Sequence, residues 1–325
     1  MSHTSHRRLF STAVKWLFSI GMLAYALHAI DGEQVMQMLT RQNPWIALTA
    51  IALAIVQMAI STFRWQRLLA LLSARACKPG YATLFNLNYI SIFFNNCLPG
   101  TIGGDVVRVM LLKSEHCPLT LAAHSVIIDR LMAVLGIFVM VILGLPWLGG
   151  LLPTLPVAPL FGVSVMTITI GLLFLNKAPG WLAKFPSTAI IRMATHLTEN
   201  IRRTVFAPRD FAIMLVQAVT AHGCYCLIAT LLAASIGVEF AFGNALLLIP
   251  LILLLVMLPI SVGGWGVREL SMVGMLGLVG IEQEAAITIS VQLGIVSIVA
   301  SLPGAWCYVS SKKKSAPSGN AARQG

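Results

Sequence analysis

Apolar residues run along this chain in blocks too continuous for the alternating positions of a half-buried strand and too long for the stripe of a soluble helix. Long, mostly apolar blocks lie near 10–30, 45–63, 121–145, 157–175, 210–236 and 285–309. Each predicts a helix of roughly 20 residues, enough to cross a hydrocarbon layer of about 30 Å at about 1.5 Å per residue. Two further regions, 82–113 and 243–280, are apolar at both ends and broken in the middle. The breaks resemble each other: LPGTIGGDVVR at 98–108 and LPISVGGWGVR at 258–268 match Pro99 with Pro259, Thr101 with Ser261, Gly103 and Gly104 with Gly263 and Gly264, and Arg108 with Arg268. Proline ends an incoming helix, and paired glycines permit a tight turn. Each broken region therefore predicts a helical hairpin, re-entrant or made of two short spans, with the motif at its tip.

Basic residues orient the spans, because loops rich in Lys and Arg stay in the cytoplasm. They cluster before the first span (Arg7, Arg8, Lys15), after the second (Arg64, Arg67, Arg75, Lys78), between 176 and 209, and in the tail (Lys312, Lys313, Lys314, Arg323). Both termini are then cytoplasmic, and the two hairpins must enter from opposite faces. The expected fold is an all-α polytopic membrane protein with an inverted repeat, six full transmembrane helices plus two helical hairpins, the symmetry common among transporters that alternate access to a midplane site. The first repeat is 1–150, the second 151–310, and 311–325 is expected to be a disordered cytoplasmic tail. Arg7 and Arg8 before an apolar block could mark a cleaved signal peptide, but no clear cleavage site follows, and a retained helix is expected. Within 187–206, apolar Ile190, Ala194, Leu197, Ile201 and Val205 share one helical stripe behind a cap signal at Ser187. That pattern fits an amphipathic surface helix or a solvated connector.

Composition agrees: of 325 residues 58% are apolar and 10% charged, and the mean hydropathy is +0.86. The net charge of +11 is spread between spans with no basic domain, so it serves topology and anionic headgroups, not nucleic acid. The six cysteines, without CxxC spacing, read as small buried hydrophobes with no disulfide framework and no metal site.

Candidate chemistry gathers at the breaks. A helix that starts at a hairpin tip presents unpaired N–H groups and a positive dipole end, which suits an anion. Arg108 and Arg268, one turn beyond Gly104 and Gly264, could grip a phosphate with their planar forks; alternatively Arg108 locks onto Asp105, and Arg268 onto Glu269. Asn95 and Asn96, with Asn86 and Asn88, add polar groups that could bond headgroup oxygens or only neighbouring helices. Asp129 and Arg130 fit a structural pair near the interface, and His124 and His222 fit hydrogen-bonded packing. Gly274, Gly277 and Gly280 fit a helix-packing face. No catalytic motif and no cofactor signature is present.

FFNNCLPGTIGGDVVR at 93–108, IIDRL at 127–131, LPISVGGWGVRE at 258–269 and FRWQRLL at 63–69 together resemble the transmembrane domain of the lysylphosphatidylglycerol synthase family, a flippase-like inner-membrane family. In its two-part members the membrane domain moves an aminoacylated phospholipid, and a soluble domain makes it. Nothing in these residues resembles that soluble domain, so aminoacyl transfer is not expected. The resemblance implies a lipid-handling role for Pro99, Gly103, Gly104, Asp105, Arg108, Asp129, Arg130, Pro259, Gly263, Gly264, Arg268 and Glu269. The expected function is a non-enzymatic translocase of a membrane lipid or a polyprenyl-phosphate-linked glycan in the inner membrane. Alternatives are a subunit that presents lipid to a partner lipid-modifying enzyme, and an intramembrane lipid-modifying enzyme.

Overall fold

A computed structural model describes residues 32–40, 43–73, 77–97, 103–151, 177, 180–181, 188–257 and 264–315. The expected spans 10–30 and 157–175, the tail beyond Ser315, and the motif residues Pro99, Pro259 and Gly263 lie outside the described residues. Among those described there are ten helices and no strand: α1 Gly32–Thr40, α2 Pro44–Leu72, α3 Tyr81–Cys97, α4 Gly103–Ser114, α5 Leu119–Leu151, α6 Ala189–Val205, α7 Pro208–Ser235, α8 Phe242–Val256, α9 Val267–Gly277 and α10 Gln283–Ser315. Stretches of α2, α5, α7 and α10 are each long and apolar enough to cross a membrane. The protein is a multi-pass membrane protein.

Local signals set the helix ends. Asn43 caps α2 by accepting from the Trp45 N–H at 3.0 Å, and Pro44 takes the first helical position, where its missing donor costs nothing. The second span runs on to Leu72, so Arg64 and Arg67 are helical, not in a loop as the apolar pattern implied. Around α6 the cap is Thr188, one residue beyond the expected Ser187. Leu197 and Ile201 of its apolar stripe pack against Leu68, Leu72 and Met214, while Ile190 is exposed.

The two broken regions each give a pair of short helices packed side by side, α3 with α4 and α8 with α9. The first pair turns back on itself. Near its tip the Gly104 N–H donates to Asn95 Oδ1 at 2.9 Å, and Ser91 Oγ donates to Gly104 O at 2.8 Å; further along, Leu112 shares an apolar cluster with Leu84. Helices α2 and α7 pack along each other at the centre, α5 packs on α8, and α10 packs on α3. Glycines allow the last two approaches. A Cβ on Gly144 would lie 2.8 Å from the Leu247 backbone, and one on Gly304 would lie 2.5 Å from Tyr89 O. Among the described residues nothing stands within 4 Å of a Cβ at Gly274, Gly277 or Gly280, and Gly280 takes a positive φ of 76° in the turn after α9.

Cys77 and Cys117 depart from another expectation, that the cysteines are isolated apolar residues. They stand paired at disulfide geometry, with Cα atoms 5.1 Å apart. Cys77 precedes α3 and Cys117 follows α4, and the antiparallel packing of that pair brings its two ends together, which a separation of 40 residues does not reveal. Cys224, Cys226 and Cys307 are free.

Candidate functional site

The first broken region delivers Arg108 into a buried charge cluster. Arg108 Nη1 donates to Asp129 Oδ2 at 3.0 Å, and Arg64 Nε donates to Asp129 Oδ1 at 2.8 Å. Arg64, Arg108 and Asp129 are only 5%, 4% and 4% exposed. Two arginines thus share one carboxylate, which leaves a net positive charge in a setting of low dielectric. Two donors of Arg108, Nε and Nη2, are buried with no hydrogen-bond partner among the described residues. Its guanidinium carbon stands 3.5 Å from the ring centroid of Trp65, a cation–π contact that steadies the plane but satisfies neither donor. Trp65 is itself fixed by an Nε1–H bond of 3.1 Å to Ser125 Oγ.

Asp105 does not pair with Arg108. It accepts two bonds of 2.8 Å from Arg130 Nε and Nη2, so this bidentate pair ties the first turn of α4 to α5. Asp129 and Arg130, expected as a pair, therefore point to different partners: successive residues on a helix lie about 100° apart, so Asp129 faces the buried cluster and Arg130 faces Asp105. Asp129 is ten residues along α5 from Leu119, about 15 Å at 1.5 Å per residue.

The second broken region is built differently. Gly264 and Gly266 adopt φ of 82° and 84°, a conformation that glycine reaches without a Cβ penalty. Helix α9 consequently begins only at Val267, whereas α4 begins at Gly103. Arg268 lies in the first turn of its helix and Arg108 in the second, so the two are not equivalently placed. The third glycine, Gly266, stands where the first motif has Val106, and it is this substitution that delays the helix. Glu269 folds back to accept the Gly266 N–H, an N3 carboxylate closing on the start of the helix. It also accepts from Arg268 Nη2 at 2.9 Å and from Ser290 Oγ at 2.9 Å. Arg268 Nε reaches Ser290 Oγ at 3.0 Å, and its guanidinium lies 4.6 Å from the Trp265 ring. Glu269 is fully buried and Arg268 nearly so.

The asparagines bond to neighbouring helices. Asn88 donates to Thr62 Oγ1 at 3.0 Å, Asn95 receives Gly104, Asn96 donates to Ser301 Oγ at 3.0 Å, and Asn86 Oδ1 is approached by the Cys307 thiol at 3.9 Å. His124 bonds Asn200 at 3.0 Å, and His222 Nε2 donates to Ala133 O at 2.9 Å, both packing roles. Sequence reasoning missed Arg64, Trp65 and Ser125. A signal existed in the helical spacing of Arg64 and Arg67 at the end of an apolar run.

A cavity of about 210 Å³ lies between α2, α3, α7 and α10, lined by apolar groups with Gln57, Ser61, Tyr225 and Ser297 among them. Ser61 and Tyr225 stand near the middle of α2 and α7. An apolar chamber with a few polar groups at mid-depth is the usual form of a small-molecule or lipid site. No curated protein matches the chain. Residues 12–304 match the family model described as the lysylphosphatidylglycerol synthase TM region, and the chain belongs to that family.

Proposed function

We propose that this protein moves a phosphate-bearing lipid, or a glycan carried on one, between the leaflets of the inner membrane, without catalysing a reaction. The observation that carries the proposal is the pair of buried, unpartnered donors on Arg108 beside a carboxylate shared with Arg64. A buried polar group without a partner is costly, and ionisable groups inside a membrane commonly mark a substrate path. Nε and Nη2 form one edge of the guanidinium, the edge that meets two phosphate oxygens at once.

An inverted repeat fits the same proposal. A long helix, two short ones and another long one recur as α2 to α5 and α7 to α10, with 29, 17, 12 and 33 residues against 28, 15, 11 and 33. Exchanging the two sets turns the contact of α5 with α8 into that of α10 with α3, and both are present. With both termini in the cytoplasm, the sets run in opposite directions, and the 210 Å³ cavity lies beside the central α2–α7 contact, on the side of α3 and α10.

Purified protein in liposomes should carry fluorescent phospholipid from the inner to the outer leaflet, where a membrane-impermeant quencher reaches it. Arg108→Gln should stop that movement, and Arg108→Lys should restore part of it, because a point charge cannot make the bidentate contact. A wild-type protein that moves no phosphate-bearing lipid, yet retains one through purification, would favour a subunit that presents lipid to a partner enzyme. Chemical turnover of that lipid would identify an enzyme instead.

A further inference from the structure

A second polar cavity lies away from the buried cluster. It is a cleft of about 750 Å³ between the final turns of α2, the link Cys77–Gly80 and the start of α7, and its lining includes Phe63, Gln66, Arg67, Lys78, Asp210 and Gln217. Arg67 Nη1 donates to Asp210 Oδ1 at 2.7 Å, with both side chains over one-third exposed. Lys78 is exposed on the link and has no partner among the described residues. Gln217 Oε1 is buried and unpartnered. Phe63, 48% exposed, stacks on Tyr81 at 4.0 Å, so the charged cleft has an apolar rim.

We infer that this cleft is a separate headgroup site for an anionic phospholipid, which the lipid occupies before its phosphate reaches Arg108; this rests on the translocase reading. Two cations face one carboxylate, so the cleft carries an excess positive charge matched to a single phosphodiester. The free Gln217 acceptor calls for a donor, which a hydroxyl-bearing headgroup supplies. Phe63 and Tyr81 give the acyl chains an apolar surface at the mouth. Arg67 stands three residues from Arg64 on the same helix, so the two lie about one turn apart on neighbouring faces, the cleft cation beside the buried one. Asp210 holds Arg67 when the cleft is empty, and an arriving phosphate competes with it.

The test uses the full-length protein in nanodiscs of phosphatidylcholine doped with fluorescent phosphatidylglycerol, with energy transfer from an attached donor reporting binding. Lys78→Gln and Arg67→Gln should each weaken binding about ten-fold, the size expected for one charge-assisted contact, and Asp210→Asn should strengthen it by freeing Arg67. Soluble glycerol phosphate should compete only weakly, since it lacks the chains. The same binding should persist in an Arg108→Gln background, which separates this site from the transport reading. Unchanged binding in the Lys78→Gln and Arg67→Gln variants would overturn the inference. Equal losses in Arg67→Gln and Asp210→Asn would reduce the pair to a structural clasp, and full competition by glycerol phosphate would make the cleft a site for free phosphate esters. Lys78 is exposed and has no partner among the described residues, so its variant remains informative if the Arg67 variant folds poorly.

Discussion

Arg64 and Arg108 hold opposite oxygens of a single carboxylate, Asp129, at 2.8 and 3.0 Å. Three helices, α2, α4 and α5, therefore meet at one buried acid. Removing the acid strands two buried cations, whereas removing either arginine leaves the acid with one partner. Asp129→Asn should accordingly be the most destabilising change at this site, by about 3–5 kcal/mol. Arg64→Gln should cost less, and Arg64→Gln combined with Asp129→Asn should recover part of the loss. Thermal unfolding in detergent, followed by size-exclusion fluorescence, ranks the three variants; an Asp129→Asn protein as stable as the wild type would show that the acid does not hold these helices together.

Glycine substitutions should divide by sign. A Cβ on Gly104 would fall 2.0 Å from Ser91 O, and because that neighbour is backbone, α4 would have to move. Gly104→Ala should destabilise by about 1–3 kcal/mol, the usual range for overpacking. Gly274, inside α9 with nothing within 4 Å, gains helix propensity at no steric cost, so Gly274→Ala should be neutral or stabilising by up to about 1 kcal/mol. The same unfolding assay checks both, and a destabilised Gly274→Ala would favour its role in packing.

The long helices were legible because a membrane span is a local property: some 20 apolar residues suffice, whatever they touch. The breaks between the paired short helices, after Cys97 and after Val256, were legible too, since Pro and Gly carry their backbone preferences with them. Partner choice was not. Asp105 sits three residues from Arg108, the spacing at which helical side chains meet, yet it bonds Arg130, 25 residues away, because α5 brings a full fork to it. Arg64 looked like a loop cation, since charge in an apolar block reads as the end of the block; 65 residues on, Asp129 makes it an interior group. The unequal starts of α4 and α9 turned on one residue, Gly266, whose positive φ is permitted but not compelled by its identity.

Orientation is open to direct labelling. The charge pattern puts both termini in the cytoplasm; on that expectation a cysteine at Glu282, between α9 and α10, should react with a membrane-impermeant maleimide added outside. Cysteines at Arg202, on α6, and at Arg75 should react only after the membrane is opened. Labelling of the Arg75 and Glu282 positions from the same side would rule out the opposed orientation of the two helix sets.

The Cys77–Cys117 pair tests the same topology by chemistry. Its Cα separation of 5.1 Å suits a disulfide, but the charge pattern puts Arg75, Lys78 and Lys113 beside it in the cytoplasm, where thiols are kept reduced. In freshly prepared membranes both cysteines should alkylate without reductant, and mild oxidation should close the pair without loss of folded protein. A disulfide already complete in those membranes would place this end of the protein on the oxidising side, with the termini outside.

The two motif arginines should fail in different ways. Arg268 spends these donors within its own turn and on α10: Nη2 goes to Glu269, Nε goes to Ser290 and Glu269, and Glu269 in turn closes the start of α9 through Gly266. Taking that guanidinium away leaves a fully buried carboxylate without a counter-charge, so Arg268→Gln should cost about 3–5 kcal/mol of stability. Arg268→Gln with Glu269→Gln should recover most of it, because a neutral amide tolerates the site. Arg108 differs, since Asp129 keeps Arg64 when it is removed. Arg108→Gln should therefore fold nearly as well as the wild type and lose lipid movement between leaflets by roughly ten-fold to a hundred-fold, the equivalent of about 1.5–3 kcal/mol for a charge-assisted contact, while binding in the Arg67 cleft persists. Unfolding temperature and lipid movement, measured on the same preparations, separate the two losses. An Arg108→Gln protein that unfolds early but still moves lipid would make Arg108 a lock like Arg268, and the unpartnered edge of its guanidinium would then have no part in transport.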